Sequence, residues 1–305
     1  MKRHVLFITV CLLHVSVLAF GQSFQERGVT AFNQEKYKEA ARWFDWAIAA
    51  DSTDPVCFSN RAQAKRALGD KEGARADLGK VVELNPKDGD VHFWLALAAY
   101  EANDLQTSVA ENSLAILLKA RMESQAYMNR AQTYVQLGRN QEALKDLSTV
   151  IERKDGLLMD AHFSRGQLYL RMNDKKTALQ DLKKVVELNP ANVQLTWDIG
   201  TLSYELEDYV EALSYYSKAI DRLDRPDAQT LMIRGETFEK LKNYAAAIED
   251  YNRVIGMSPN MAEAHYGRGQ AKARLGQTEA ACIDWQKAAE LGHQEAKGVI
   301  VYNCK

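Results

Sequence analysis

A small residue recurs every 34 or 35 positions along almost the whole chain of 305 residues. Another small residue lies twelve positions before each copy, and a large apolar residue lies four positions after seven of the eight copies. Small side chains let two helices approach closely, and residues four apart share one helical face. Because internal periods of this length are typical of solenoids, the pattern predicts eight antiparallel helix pairs in succession. The recurring residues are Ala40, Ala74, Ser108, Ala143, Ala178, Ala212, Ala247 and Ala281.

Two further features mark the ends of the repeats. The sequence VVELNP occurs twice, ending at Pro86 and at Pro190, and all five prolines of the chain lie at repeat boundaries. Proline is tolerated there because it ends one helix and can open the next. The pattern resembles the tetratricopeptide repeat (TPR) family, a 34-residue helix-turn-helix with small residues at positions 8 and 20 and a bulky one at position 24. The resemblance implies an all-α fold, an α-solenoid wound as a right-handed superhelix.

The resemblance divides the chain into eight repeats followed by a cap helix. Repeat 3 departs most from the family, with Ser108, Asn112 and Ala120 where alanine, a bulky apolar residue and proline are usual. We expect its packing to be the weakest of the eight. The expected segments are a signal peptide at 1–21, a TPR array at 22–292 with repeats at about 22–54, 55–88, 89–123, 124–158, 159–192, 193–227, 228–261 and 262–292, and a cap helix at 293–305.

The first residues are typical of a secretory signal peptide. Two basic residues, Lys2 and Arg3, precede an apolar run over residues 5–18, and small residues follow it. The run is short for a membrane span, so we predict cleavage after Gly21, with Ala19 as the second choice. The alternative is an uncleaved membrane anchor. Cleavage would leave a mature chain without membrane insertion, in the periplasm, at the outer membrane or outside the cell.

Net charge limits the kinds of partner. The full chain carries a formal net charge of −2 at pH 7, and loss of Lys2 and Arg3 would make it −4. Nucleic acids and anionic membranes are bound by net basic surfaces. We therefore expect neither as the main target.

A column of arginines occupies position 7 of the first helix, and it could be mistaken for a phosphate-binding track. In five of the same repeats a column of aspartates occupies position 23 of the second helix. Since a guanidinium group can bind a carboxylate with two hydrogen bonds, we predict structural ion pairs between the two helices of these repeats. The pairs are Arg61 with Asp77, Arg130 with Asp146, Arg165 with Asp181, Arg234 with Asp250, and Arg268 with Asp284.

In the TPR family, ligands usually lie along a concave groove formed by positions 2, 5, 6, 9, 12 and 13 of each first helix. Amide side chains at these positions could both donate to and accept from a peptide backbone, and aromatic rings are favoured at binding centres. Acidic residues outnumber basic ones nine to four over the full set, which favours a neutral or basic peptide. The alternative for each aromatic residue is packing within its own repeat. The candidate groove residues are Asn60, Gln63, Phe93, Trp94, Asn129, Gln132, Phe163, Gln167, Trp197, Asp198, Tyr204, Glu236 and Tyr266.

One binding mode of the family is not expected here. Some TPR proteins clamp the acidic tail of a cytosolic chaperone with two lysines, two asparagines and an arginine. The matching positions are Gln25, Val29, Asn60, Asp90 and Trp94, of which only Asn60 keeps the residue type. We therefore do not expect this chain to bind such a tail.

Two cysteines lie close to each other in the predicted fold. Cys282 falls on the second helix of the last repeat and Cys304 on the cap helix. Export would permit a disulfide between them, and we predict one, with two buried thiols as the alternative. Cys57 would then remain unpaired.

Catalytic signatures are missing from the sequence. His92, His162 and His265 lie two or three repeats apart, so they cannot converge on one metal, and we interpret them as packing residues. The sequence has no paired-histidine zinc motif, no phosphate-binding glycine loop and no nucleophile elbow. We expect no enzyme activity, no cofactor and no metal.

These observations favour an exported TPR scaffold that binds a protein or an extended peptide in its groove, in envelope assembly. A glycan or cell-wall binding module is the first alternative, because aromatic grooves also stack on sugars. A regulatory arm of an enzyme complex is the second.

Overall fold

The computed structural model describes residues 23–304, in which the backbone forms seventeen helices and no strand. The predicted signal peptide lies outside these residues. The described helices are α1 (23–33), α2 (Tyr37–Ala50), α3 (Pro55–Ala67), α4 (Lys71–Leu84), α5 (Gly89–Glu101), α6 (Leu105–Leu117), α7 (Glu123–Gln136), α8 (Asn140–Arg153), α9 (Leu158–Arg171), α10 (Lys175–Leu188), α11 (Val193–Glu205), α12 (Tyr209–Ile220), α13 (Ala228–Lys240), α14 (Tyr244–Met257), α15 (Ala262–Arg274), α16 (Thr278–Glu290) and α17 (Gln294–Asn303).

The predicted all-α fold class is confirmed. The described residues form two compact units, which we call the amino-terminal body (residues 23–161) and the carboxy-terminal body (residues 162–304). Within each body, helices that follow one another in the chain pack together, and α17 packs on α16. Odd-numbered helices up to α15 are the first helices of repeats, and even-numbered ones are the second. No helix between residues 23 and 304 is long and apolar enough to cross a membrane.

Capped turns reverse the chain between the two helices of five repeats. In repeat 5, Asn173 adopts a left-handed conformation with φ of 61°, and Asp174 then accepts a hydrogen bond from the backbone N–H of Thr177 at 3.1 Å. Asp70 caps α4 in the same way, with 2.9 Å to the N–H of Gly73. The capping oxygen satisfies an N–H group that the start of a helix leaves without a partner. These caps hold the two helices of each such repeat antiparallel.

Close helix approach within a repeat depends on the pairing of positions 8 and 24. Where position 24 is aromatic, position 8 is glycine, because the ring lies flat against the glycine backbone. A Cβ atom added to Gly235 would lie 2.8 Å from a ring carbon of Tyr251, and one added to Gly200 would lie 2.6 Å from Tyr216. Tyr251 and Tyr216 are almost fully buried. Each aromatic ring therefore fills the space that the glycine leaves.

We expect Gly235→Ala to lower the free energy of unfolding of the chain. Alanine has a higher helix propensity than glycine, which favours α13 by about 1 kcal/mol, but displacing a buried ring costs about 1–3 kcal/mol. The net effect is therefore a loss of stability. Gly79→Ala in α4 is the matched control, because a Cβ atom there meets nothing within 4 Å and should stabilise the chain. Urea unfolding measures both changes. An equal gain in the two variants would contradict the packing argument.

Repeat 3 replaces the usual apolar contact with a small polar layer. Ser108 and Asn112 are fully buried, and the Ser108 hydroxyl lies 3.1 Å from the Thr133 hydroxyl of α7. The Asn112 side-chain amide donates to the Ser108 carbonyl at 3.0 Å, while its oxygen has no hydrogen-bond partner. Ala120 is buried against Gly89, whose added Cβ would lie 2.9 Å from the Ala120 nitrogen. The departures from the repeat pattern are therefore closely packed and partly hydrogen-bonded.

Candidate functional site

The structure brings all five predicted arginine–aspartate pairs together. In each pair the arginine Nε and Nη2 atoms bond the two oxygens of one carboxylate, at distances of 2.5 to 3.0 Å. The aspartates are at most 5% exposed. Lys65 and Lys272 add a second cation at 2.8 Å to the carboxylates of Asp77 and Asp284. These arginines therefore lie between helices as part of the scaffold.

The third guanidinium nitrogen reaches the preceding repeat, which the sequence reasoning missed. Arg61 Nη1 lies 2.7 Å from Asp45, and Arg130 Nη1 donates to the Ser113 hydroxyl at 2.9 Å. Arg268 Nη1 donates to the Asn252 amide oxygen at 2.7 Å. Each acceptor lies sixteen or seventeen residues before its arginine, and each aspartate lies sixteen after it. A polar residue at position 25 is the signal that could have predicted this link between repeats.

The three histidines are buried or half-buried, and each is also hydrogen-bonded. His92 Nδ1 lies 2.6 Å from Glu111, and its Nε2 lies 3.0 Å from the Pro86 carbonyl. Repeat 3 lacks the arginine at position 7, so His92 supplies the partner of its position-23 carboxylate. His162 likewise lies 2.8 Å from Asp181, which also binds an arginine. Across residues 23–304, no three His, Cys, Asp or Glu side chains are grouped so that they could hold a metal ion.

The structure divides the candidate groove residues into exposed and buried ones. We call the side of the first helices formed by repeat positions 2, 5, 6, 9, 12 and 13 the first-helix face. Trp94 and Phe163 are 39% and 42% exposed on it. Asn60, Asn129, Trp197, Tyr204 and Tyr266 are half-buried, and Gln63, Gln132, Gln167, Asp198 and Glu236 are exposed.

Two of the candidate residues pack against the hydrophobic core. Phe93 is only 3% exposed and packs in a cluster with Ala115 and Ala126, whose small side chains leave room for its ring. Trp197 packs against the core of the carboxy-terminal body, with its ring centroid 4.4 Å from that of Tyr216. Phe93 therefore belongs mainly to the core, although it also lines the recess beside Trp94 that is described below.

Each body has a cavity on its first-helix face, and the two cavities occupy equivalent repeat positions. Both are lined by position 12 of one repeat, by positions 9, 12, 13 and 17 of the next repeat, and by position 13 of the repeat after that. The cavity of the amino-terminal body has a volume of about 580 Å³ and is lined by Phe32, Gln63, Arg66, Ala67, Lys71 and Glu101. The cavity of the carboxy-terminal body, of about 400 Å³, is lined by Tyr204, Glu236, Glu239, Lys240 and Tyr244, with Gln270 and Arg274 from α15.

A third recess lies beside Trp94 in the amino-terminal body. It has a volume of about 310 Å³, and its walls are Phe93, Trp94 and Met122. Asp90 closes one side by accepting a hydrogen bond from the backbone N–H of Arg121 at 2.7 Å. Its largely apolar walls suit an apolar side chain.

The last repeat and the cap helix are joined by a disulfide between Cys282 and Cys304, whose Cα atoms lie 5.7 Å apart. His293, at the start of α17, stacks on Tyr266 with ring centroids 4.1 Å apart. Tyr266 in turn accepts a hydrogen bond from the Gln270 amide at 2.7 Å. The cap is therefore held at both of its ends.

Cys57 is a buried thiol beside a carboxylate, and we expect it to be unreactive in the folded chain. Burial, together with the Asp54 carboxylate that accepts the thiol hydrogen bond at 3.2 Å, raises the pKa of the Cys57 thiol to about 12. A thiol pKa of about 8.5 in the unfolded chain gives far more thiolate at pH 8. Alkylation of the Cys57 peptide, followed by mass spectrometry, should be at least about a hundredfold slower in native buffer than in urea. Equal rates would show that the thiol is accessible.

Models of the tetratricopeptide repeat match residues 59–110, 124–155 and 163–229, and a TPR repeat model matches residues 235–276. Together these segments cover more than half of the chain.

Curated relatives match the chain over about a third of its length. DnaJ homolog subfamily C member 7 of Homo sapiens is 32% identical over 98 residues, which are 32% of this chain and 20% of that protein. TPR repeat-containing thioredoxin TDX of Arabidopsis thaliana is 34% identical over 91 residues, 30% of this chain and 24% of that protein. Heat shock protein STI1 of Saccharomyces cerevisiae is 26% identical over 92 residues, 30% of this chain and 16% of that protein. The match thus spans a quarter or less of each relative.

Solved structures show the same class of fold. A tetratricopeptide repeat protein from Parabacteroides merdae is 21% identical, covers 82% of this chain and 99% of its own, and has a TM-score of 0.48. YrrB, described as a TPR protein with an unusual peptide-binding site, is 22% identical, covers 61% of this chain and 95% of its own, and has a TM-score of 0.47. At these low identities neither likeness carries an argument about a ligand or a partner.

Proposed function

The chain belongs to the tetratricopeptide repeat family, and we propose that it is an exported scaffold that binds an extended protein segment on its first-helix face. The family is a scaffold class that typically mediates contacts between proteins and is generally not catalytic. The proposed ligand is a neutral or basic segment of a partner protein, and the proposed role is in assembly of the cell envelope.

A recurring cavity on the first-helix face carries this proposal. Both bodies have one at the same repeat positions, with volumes of about 580 and 400 Å³. Gln63 and Gln270 line them, and an amide side chain can donate to one peptide group and accept from another. Each cavity is formed by successive first helices within one body, which suits an extended ligand. A peptide backbone has that property.

Charge on the first-helix face supports the expected chemistry of the ligand. Acidic residues outnumber basic ones nine to four at the positions that form it. Glu101, one of the nine, already pairs with Arg66 at 2.5 Å, but Asp198 and Glu236 are exposed and make no ion pair within the described residues. A basic segment would meet complementary charge there, which raises association rates and selects against acidic segments.

Two observations support export. Lys2 and Arg3 followed by an apolar run have the composition of a signal peptide. The bond between Cys282 and Cys304 suits an oxidising compartment, because disulfides are rare in the reducing cytosol. Both fit a role outside the cytoplasm, in the periplasm or at the outer membrane.

A peptide selected from a random phage-displayed library on residues 22–305 provides the test. Fluorescence anisotropy should show that alanine at four exposed first-helix positions weakens its binding at least tenfold. These positions are Gln63, Gln132, Phe163 and Gln167. The control replaces four exposed second-helix residues and should bind with unchanged affinity. These residues are Lys80, Gln180, Glu249 and Gln286.

Two results would count against the proposal. Equal affinity in the first-helix variant and the wild type would place the ligand elsewhere on the molecule. Selected peptides rich in aspartate and glutamate would contradict the proposed charge of the partner.

A further inference from the structure

We propose that the cavity between α11, α13 and α15 receives the side chain of an arginine in the bound segment. The inference rests on the proposed function and names the residue type that this part of the partner presents. Three features carry it: two carboxylates that make no ion pair, an equivalent cavity in which the charged residues pair with each other, and aromatic walls.

The two carboxylates of the cavity make no ion pair within residues 23–304, although Lys240 acts electrostatically on both and Arg274 acts on Glu239. Glu236 makes no hydrogen bond and no ion pair within residues 23–304. Glu239 accepts one hydrogen bond, from the hydroxyl of the fully buried Tyr251 at 2.9 Å, and makes no ion pair there. Lys240 and Arg274 also line the cavity, but neither approaches a carboxylate closely enough to pair with it among the described residues. The Lys240 ammonium lies over the ring of Tyr209 instead, 5.8 Å from its centroid.

In the cavity of the amino-terminal body, charged residues at the same repeat positions pair with each other. Arg66 occupies the repeat position of Glu239, and Glu101 occupies the position of Arg274, so the charges are reversed. There the two side chains meet, with Nε to Oε2 at 2.9 Å and Nη2 to Oε1 at 2.5 Å. The guanidinium of Arg66 is thus bound by a carboxylate within the protein. In the carboxy-terminal body the two carboxylates have no such pair, so they can bind a guanidinium group of the ligand.

The remaining walls suit a planar cation. Tyr204 and Tyr244 present aromatic rings to the cavity, and Tyr204 packs edge-on against Tyr209 with centroids 5.1 Å apart. A guanidinium group stacks on aromatic faces while its N–H groups bond a carboxylate in a bidentate manner, which an ammonium group cannot do. The volume of about 400 Å³ accommodates an arginine side chain. Arginine is therefore preferred to lysine.

Binding should depend on pH through the two carboxylates. Desolvation in the cavity raises the pKa of Glu236, which is still partly exposed, and of Glu239 above the usual 4.5. A cation binds the ionised form, so affinity should fall as pH is lowered through these raised pKa values, and binding should lower them. The groups that face the carboxylates are Tyr204 on α11, Tyr216 on α12, Lys240 on α13, Tyr251 on α14 and Arg274 on α15.

The tyrosine neighbours of the two carboxylates do not titrate over the pH range in which the carboxylates do. The pKa values of Tyr204, Tyr216 and Tyr251 are raised by burial, so these hydroxyls stay neutral from pH 4 to 8. A loss of affinity at lower pH therefore measures protonation of the two carboxylates.

The test is an NMR titration of residues 22–305 with N-acetyl-arginine amide as the probe. Amide signals of α13 and the side-chain amide of Gln270 should shift and saturate with a Kd on the order of 1 mM. N-acetyl-citrulline amide, a neutral isostere, should bind at least tenfold more weakly, and the lysine amide should lie between them. The variant Glu236→Gln with Glu239→Gln should also bind N-acetyl-arginine amide at least tenfold more weakly than the wild type. The matched control, Glu207→Gln with Glu249→Gln, removes the same charge from exposed sites and should change nothing.

The inference would be overturned by equal binding of arginine and citrulline amides, by stronger binding of N-acetyl-glutamate amide, or by full arginine affinity in the Glu236→Gln, Glu239→Gln variant. Absence of any shift with the arginine amide would also overturn it. Thermal unfolding shows whether the double variant is folded, and the pH dependence in the wild-type chain does not need the variant. If selected peptides still bind the first-helix face without any preference for arginine, this inference fails while the proposed function stands.

Discussion

Replacing Arg130 with alanine is expected to lower the free energy of unfolding by about 3 kcal/mol, because it leaves a buried carboxylate without its partner. The Asp146 side chain is 5% exposed and receives two hydrogen bonds from Arg130, at 2.8 and 2.7 Å. Arg130 also bonds Ser113 of the preceding repeat. The substitution therefore weakens three helices at once. Urea unfolding followed by circular dichroism measures the loss.

Two variants separate the buried pair from ordinary surface charge. Lys80→Ala removes an exposed partner of Glu83 and should change stability by less than about 0.5 kcal/mol. Arg130→Met combined with Asp146→Leu removes both charges and should recover most of the loss, since apolar replacements of a buried pair are often neutral. If Arg130→Ala costs no more than Lys80→Ala, the arginines do not hold the repeats together.

Reducing the disulfide is expected to destabilise the cap helix by about 3 kcal/mol in the chain-entropy model. The bond joins Cys282 to Cys304 across a sequence separation of 22 residues. Without it, packing on α16 and the His293 stack on Tyr266 still hold α17, but Val301 and Tyr302 are already exposed. Hydrogen exchange should become fast in α17 after reduction and stay slow in α13 and α14.

The double variant Cys282→Ser with Cys304→Ser controls for the reductant itself. It should exchange like the reduced chain, and adding reductant to it should change nothing further. Unchanged protection of α17 after reduction would mean that packing alone holds the cap.

Sequence spacing predicts the helix pairs well because each repeat meets the same local constraints eight times. A small residue at position 8 matters only opposite a bulky one at position 24, and Gly235 opposite Tyr251 shows why. The arginine–aspartate contacts were predictable for the same reason, since both partners lie in one repeat. Their link to the preceding repeat was not, because position 25 varies among Asp45, Ser113 and Asn252 and has no single residue type to recognise.

The candidate site was less predictable because exposure depends on neighbouring repeats. Phe93 has the repeat position of a ligand contact, yet the small Ala115 and Ala126 beside it admit its ring to the core. Repeat position alone also could not show that Arg66 and Glu101 meet while Glu239 and Arg274 do not. That difference depends on side-chain geometry across three repeats.

The most direct test of the central claim is a chemical-shift map of the chain with a library-selected peptide bound. We expect the perturbed backbone amides to lie in odd-numbered helices, with side-chain amides such as Gln63 or Gln270 shifting beside the cavities. Perturbations confined to even-numbered helices or to the turns between repeats would contradict it, because the ligand would then bind away from the first-helix face.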